Sequence, residues 1–205
     1  MHGDNIKEIK EKAEKVYKLL DFIFYGTIIF FVILLVFNIV VGFMPVENFE
    51  AIKGVRQWSL TVHVTTNHSL SISVPFTILQ PVSGDMINAK SAYLTFSFSY
   101  IMTLFPALMF GIRQLRDILF STVNDETPFT LENIGAFKHI AYVVIAYSLV
   151  VKPLRSILGC IFVTKIFSLT VDIPIEGILV GILVLILSEI FKYGVYLQYE
   201  YDTTL

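Results

Sequence analysis

Cysteine is nearly missing from this chain: the 205 residues hold one, Cys160, which excludes an intrachain disulfide and any metal site built from several thiolates. Cys160 itself reads as a small apolar filler in a helix. Charge is also scarce, with Asp, Glu, Lys and Arg at 16% against about 25% in an ordinary soluble domain. The net charge of −2 lacks the basic footprint of a nucleic-acid binder, so no direct nucleic-acid contact is expected. Of the histidines, His2, His63, His68 and His139, only His63 and His68 lie close in sequence. Without carboxylate or thiol neighbours they make a poor metal site. No HExxH, Gly-x-Ser-x-Gly or phosphate-cradling glycine loop occurs, and no serine is paired with a base. The expectation is a protein that is not an enzyme, with no catalytic residues, no metal and no cofactor.

What the chain has in excess is hydrophobic sequence, 55% of its residues. From Phe22 to Phe43 there is no charge at all, and about 20 apolar residues of helix suffice to cross a bilayer core of about 30 Å. Backbone polar groups left unpaired in lipid are so unfavourable that helix is the form expected of such a run. Charged and polar residues precede this first run and no small-x-small cleavage pattern follows it, so it reads as a permanent anchor rather than a signal peptide. Three more runs follow, at about 91–112, 136–162 and 175–195. Pro106 lies inside the second, where a kink is expected, and Lys152, Pro153 and Arg155 interrupt the third. The predicted fold class is all-α: four transmembrane helices in a single membrane domain, 1–205, embedded in a lipid bilayer.

Four spans put both termini on one side. Lys7, Lys10, Lys12, Lys15, Lys18, Arg113, Arg116, Lys138 and Lys192 fall on that side, and the remaining six of the 15 basic residues fall on the other. By the positive-inside bias both termini are cytoplasmic. The helices there outrun the bilayer. Ile6, Ile9, Ala13, Val16, Tyr17 and Leu20 form a helical stripe ahead of span one, supported by Glu–Lys pairs at i,i+4. Ile112, Leu115, Ile118 and Leu119 extend span two until Asn124-Asp125-Glu126-Thr127-Pro128 breaks it. Thr130 is the expected N-cap of the next helix. Span four runs on through Lys192, Gln198 and Glu200.

The long loop 44–90 changes period. Trp58, Leu60, Val62 and Val64 alternate with polar residues, Thr66-Asn67-His68 interrupts, and Leu70, Ile72, Val74, Phe76 and Ile78 resume the alternation. This is a β-hairpin signal, on the extracytoplasmic side. A lone hairpin is marginal in water, so its apolar face must cover the outer ends of the spans, the lipid surface or another protein. Pro75 restricts the second strand to an edge.

Ionisable residues inside membrane segments are costly and often functional. Lys152 and Arg155 sit toward the outer end of span three, where Asp172 and Glu176 are placed to neutralise them, and Glu189 and Lys192 form an i,i+3 pair near the inner end of span four. Snorkelling and local pairing explain such charges; a polar site for an ion or anionic headgroup is the alternative.

Two motifs carry a resemblance. Asp125-Glu126-x-Pro128-Phe129-Thr130-x-x-Asn133 opens the helix into span three, and Glu189-Ile190-Phe191-Lys192-x-Gly194-x-x-Leu197-Gln198-x-Glu200-x-Asp202-x-Thr204 closes the chain. Together they resemble the bacterial four-helix membrane family catalogued as domain-of-unknown-function family 2975. The resemblance implies a bacterial cytoplasmic membrane and a cytosolic Cro/CI-type helix-turn-helix regulator as partner. The function expected on that basis is a non-enzymatic membrane partner that holds or signals to the regulator, with a bacteriocin-immunity role as a variant. Trp58 on the hairpin and Phe191, Gln198, Glu200 and Asp202 on the inner tail are the candidate partner-binding residues. A homodimer is a further expected assembly. The rival reading is a small transporter or channel subunit with a polar path along Lys152, Arg155 and Glu176.

Overall fold

The computed structural model describes residues 2–124, 129–167 and 174–204, with the backbone alone for 2–9, 85, 122, 202 and 204. Its helices are α1 (His2–Gly42), α2 (Ala89–Val123), α3 (Leu131–Gly159) and α4 (Ile175–Thr204). All four are long and apolar enough to cross a membrane. They begin and end where local chemistry dictates. Asn88 Oδ1 accepts the Ser91 N–H at 2.9 Å ahead of α2, and Thr130 Oγ1 accepts the Asn133 N–H at 3.1 Å ahead of α3, the cap expected from sequence. α2 runs uninterrupted past Pro106 and α3 past Pro153. α3 passes into a π-helical turn, Cys160–Thr164. That turn stops at Lys165, whose φ of 56° is a left-handed conformation uncommon outside glycine.

The helices outlast their apolar runs, as the sequence indicates. α1 has 41 residues, about 61 Å at about 1.5 Å per residue, roughly twice a hydrocarbon core. The lysine-rich lead-in and the apolar run are one continuous helix, and the stripe at Ile112–Leu119 continues α2 to Val123.

By contacts the chain groups into two compact units, one of Met1–Ile29, Pro106–Tyr147 and Pro174–Leu205, the other of Phe30–Phe105 and Ser148–Ile173. The second unit carries the sheet. Sequence periodicity predicts a two-stranded hairpin, but the sheet has three antiparallel strands, β1 (Phe49–Lys53), β2 (Gln57–Thr65) and β3 (His68–Pro75), in the order β1-β2-β3. The expected hairpin is β2–β3. β1 escaped notice because five residues with charges at Glu50 and Lys53 carry too little alternation to stand out. Trp58 pairs Lys53 on one side and Val74 on the other, Leu60 pairs Ala51 and Ile72, and Val62 pairs Phe49 and Leu70. A register shift at His63/Thr65 ends the ladder.

The period of two sends Trp58, Leu60 and Val62 to one face, each fully buried. They join Val41 of α1, Ala92, Tyr93 and Phe96 of α2, and Ile78, Leu79, Ile87 and Val163 in one hydrophobic core. The sheet thus covers the ends of its own helices. Pro75 closes β3, an edge strand, where its missing N–H leaves no ladder bond unmade. Trp58 is therefore corrected from a partner-binding residue to the centre of this core. Its indole N–H donates to Gln80 O at 3.0 Å, its ring stands 6.2 Å from that of Phe76, and no part of it is exposed. Lys90 Nζ donates to Met44 O at 2.7 Å and ties the start of α2 to the end of α1.

In the first unit α3 and α4 approach closely at Gly181, where an added Cβ would lie 3.1 Å from Ala141 O and against the Ile145 side chain. Arg116 joins Asp21 at 3.0 Å and lies over the Phe24 ring at 5.1 Å, linking α2 to α1.

Candidate functional site

The polar side chains buried among the apolar helices define the candidate site. In the sheet-bearing unit Arg155 of α3 is 7% exposed. Its Nη2 donates to Thr103 Oγ1 of α2 at 2.7 Å, and the guanidinium lies on the Tyr100 ring, 3.7 Å from the centroid. Such stacking is electrostatically favourable, but it does not neutralise the charge. Arg155 Nε is buried with no acceptor, and Ser99 Oγ, one turn before Thr103 on α2, is buried with no partner. Thr103 spends its own proton on Ser99 O at 2.8 Å. Among the described residues no carboxylate pairs with Arg155.

Asn38 of α1 donates to Ser97 Oγ of α2, both buried. Asn38 lines two spaces. One is an apolar groove of about 470 Å³ bounded by Gly42, Leu94, Phe98, Leu158 and Phe162; the other is a cleft of about 250 Å³ under β3 that gathers Ser71, Tyr93, Ser97 and Tyr100. Both spaces are mainly apolar, with a few neutral amide and hydroxyl groups among their walls.

The other unit holds Glu189, which meets Lys138 at 3.2 Å and Lys192 at 3.4 Å. The expected Glu189–Lys192 pair forms, with Lys138 of α3 added. Phe191, a candidate partner-binding residue, is half-buried, and its ring packs 4.7 Å from Phe137 and 5.3 Å from Phe129. The Phe129 ring also occupies the space any side chain at Gly194 would need, which accounts for the glycine in that motif. Gln198 is half-buried and Glu200 exposed. Asp172 lies outside the described residues, as does the side chain of Asp202.

Of the six charges expected to form a polar site, Glu189 and Lys192 meet and Asp172 lies outside the described residues. Lys152 and Arg155 belong to the sheet-bearing unit, and Glu176, Glu189 and Lys192 to the other. Arg155 has a hydroxyl and an aromatic face as its neighbours, and Glu176 stands exposed in the first turn of α4. Sequence reasoning missed Asn38, Ser97, Ser99, Tyr100 and Thr103. The signal was present, since an amide and a run of hydroxyls inside apolar helices are the usual hydrogen-bonding contacts between membrane helices. Missed too were Tyr193, Tyr196, Tyr199 and Tyr201, all between 59% and 69% exposed on α4.

Among the described residues no group of three or more His, Cys, Asp or Glu is placed to hold a metal ion. No curated protein and no solved structure matches the chain. A family model described as protein of unknown function (DUF2975) matches residues 82–205, a stretch that begins just ahead of α2 and leaves out α1 and the sheet. The motifs at the entry to α3 and along the tail of α4 thus belong to a longer likeness that takes in three of the four helices, and the chain is a member of the DUF2975 family.

Proposed function

We propose that this protein is a non-enzymatic, multi-pass protein of a bacterial cytoplasmic membrane, with both termini in the cytosol. Its inner helical ends form a docking surface for a cytosolic helix-turn-helix regulator. Support for the membrane setting comes from the exposed apolar exterior of the helices, such as Phe22 at 76%, Ile29 at 60% and Ile39 at 62% on α1. A soluble monomer rarely leaves a patch of that extent in water.

The observation that carries the docking role is the row of tyrosines on α4. Counting from Ile175 at about 1.5 Å per residue, Tyr193 stands about 27 Å along the helix, level with the edge of a hydrocarbon core of about 30 Å. Tyr196, Tyr199 and Tyr201 lie further, at about 32, 36 and 39 Å. Their rings are 59%, 69% and 66% exposed. Tyr193 suits the membrane–water boundary, whereas the outer three present rigid aromatic area to the cytosol, the kind of group that dominates binding energy at protein interfaces. Glu200 and Gln198 supply polar contacts between them.

The test is affinity purification of the tagged full chain from its native membrane, beside a Tyr196→Ser/Tyr199→Ser/Tyr201→Ser variant. The expected result is a stoichiometric small DNA-binding protein with the unaltered chain. Loss of even one aromatic hot spot is worth about 2 kcal/mol, roughly a 30-fold weaker Kd, so the variant should release that protein. Recovery of the unaltered chain alone, or equal capture by both, removes the docking role.

A further inference from the structure

We propose that the free edge of β3 pairs antiparallel with the same edge of a second copy of this chain, about a two-fold axis at Ser71, joining the two three-stranded sheets into one. The proposal is independent of the tyrosine tail. β3 bonds β2 on one side only, and the register fixes which of its backbone groups remain. Phe76 N–H donates to Arg56 O at 3.0 Å, and bonded pairs recur at every second position of an antiparallel ladder. Leu70, Ile72 and Val74, opposite Val62, Leu60 and Trp58, therefore turn N–H and C=O to β2, whereas Ser69, Ser71 and Ser73 turn theirs outward. Pro75, next in the outward set, has no N–H to turn. Among the described residues no other element bonds the outward groups of the three serines, and all three residues are exposed. Such a row of unpaired backbone groups is a template for another strand.

The sequence of the edge selects the occupant. Outward from Ser71, Leu70 answers Ile72 and Ser69 answers Ser73, so the strand is its own antiparallel complement. A two-fold axis makes such a contact self-complementary. It sets Ser71 against the second copy's Ser71 and Ser69 against its Ser73, and each of these pairs exchanges two N–H···O bonds. Leu70, 49% exposed, then lies beside the second copy's Ile72 in the closer, non-bonded kind of pair. Charge agrees with this occupant: no Asp, Glu, Lys or Arg occurs from Thr66 to Gln80, so two copies meet without repulsion. Edge strands that stay single commonly carry a lysine or a proline. β3 has no lysine, and its proline stands at the last position. The palindrome thus specifies a partner of the same sequence; a foreign peptide is the alternative that the test separates.

The experiment uses the full chain with Cys160→Ala, so that an introduced cysteine is its sole thiol, reconstituted in phosphatidylcholine vesicles and oxidised with copper–phenanthroline. Ser71→Cys should give a disulfide-linked dimer, because bonded partners stand about 5.5 Å apart at Cα, within disulfide reach. Chains carrying Ser69→Cys and chains carrying Ser73→Cys, mixed before reconstitution, should link to each other. Ser73→Cys alone should not link, because its two copies are offset by about 13 Å along the strand, beyond that reach. In the mixture at high lipid dilution, Ser71→Pro removes two bonds across the axis and should slow linking about 30-fold. Ser71→Lys, which sets like charges together, should also slow it and serves if the proline variant does not fold. The proposal is overturned if Ser71→Cys stays unlinked, which leaves the edge to a foreign peptide. It is overturned equally if Ser73→Cys alone links as fast as the mixture, or if both substitutions at Ser71 leave linking unchanged.

Discussion

Replacing Trp58 by alanine separates a core role from a recognition role with one measurement. The side chain is wholly buried in the central strand, and Trp→Ala in such a core destabilises by about 3–5 kcal/mol. Part of that figure is the hydrogen bond from the indole N–H to the Gln80 carbonyl, worth about 0.5–1.5 kcal/mol. Taking about 4 kcal/mol for the whole, and 1.4 kcal/mol per factor of ten, opening of the sheet should become roughly a thousand times more frequent. Hydrogen–deuterium exchange of the β2 amides reads this directly, because their rates follow the free energy of local opening. Trp58→Phe keeps a ring but loses the N–H, so it should accelerate the same amides about tenfold, for about 1.5 kcal/mol. Amides of α4, which belongs to the other unit, serve as the internal control. The reasoning is refuted if β2 exchange in Trp58→Ala stays within about threefold of the unaltered chain, since a side chain that holds the sheet together cannot be removed silently.

Two further perturbations probe the other unit. Thr130→Ala removes the cap on the Asn133 N–H and should cost about 1 kcal/mol in thermal unfolding, with Thr130→Ser restoring most of it; an unchanged Tm would mean that the cap contributes nothing. Gly181→Ala should cost about 1 kcal/mol and Gly181→Leu about 3 kcal/mol, because Ile145 can yield but the Ala141 carbonyl at 3.1 Å is backbone. A leucine variant that unfolds in denaturing detergent no sooner than the unaltered protein would show that α3 and α4 are not held at that point.

The sequence alone determined the features that depend on neighbours a few residues away. Uncharged runs of sufficient length specify helices whatever they pack against. The Thr130 cap, the helical continuation on both flanks of the apolar runs, and the β2–β3 alternation rest on local spacing in the same way. Pairing across the chain had to be decided by tertiary structure. β1 becomes a strand because β2 offers it a ladder, and its own five residues carry little signal. Trp58 and Phe191 are large aromatic residues that suit an interface or a core equally well in sequence. Only the packing of the sheet on α1 and α2, and of Phe129 and Phe137 on α4, directs them inward. Arg155 meets Thr103 across 52 residues and Asn38 meets Ser97 across 59. No local rule couples positions so far apart, since their meeting depends on which helix faces close together in three dimensions, and it is this folding that gives a buried guanidinium a hydroxyl and a ring as its neighbours.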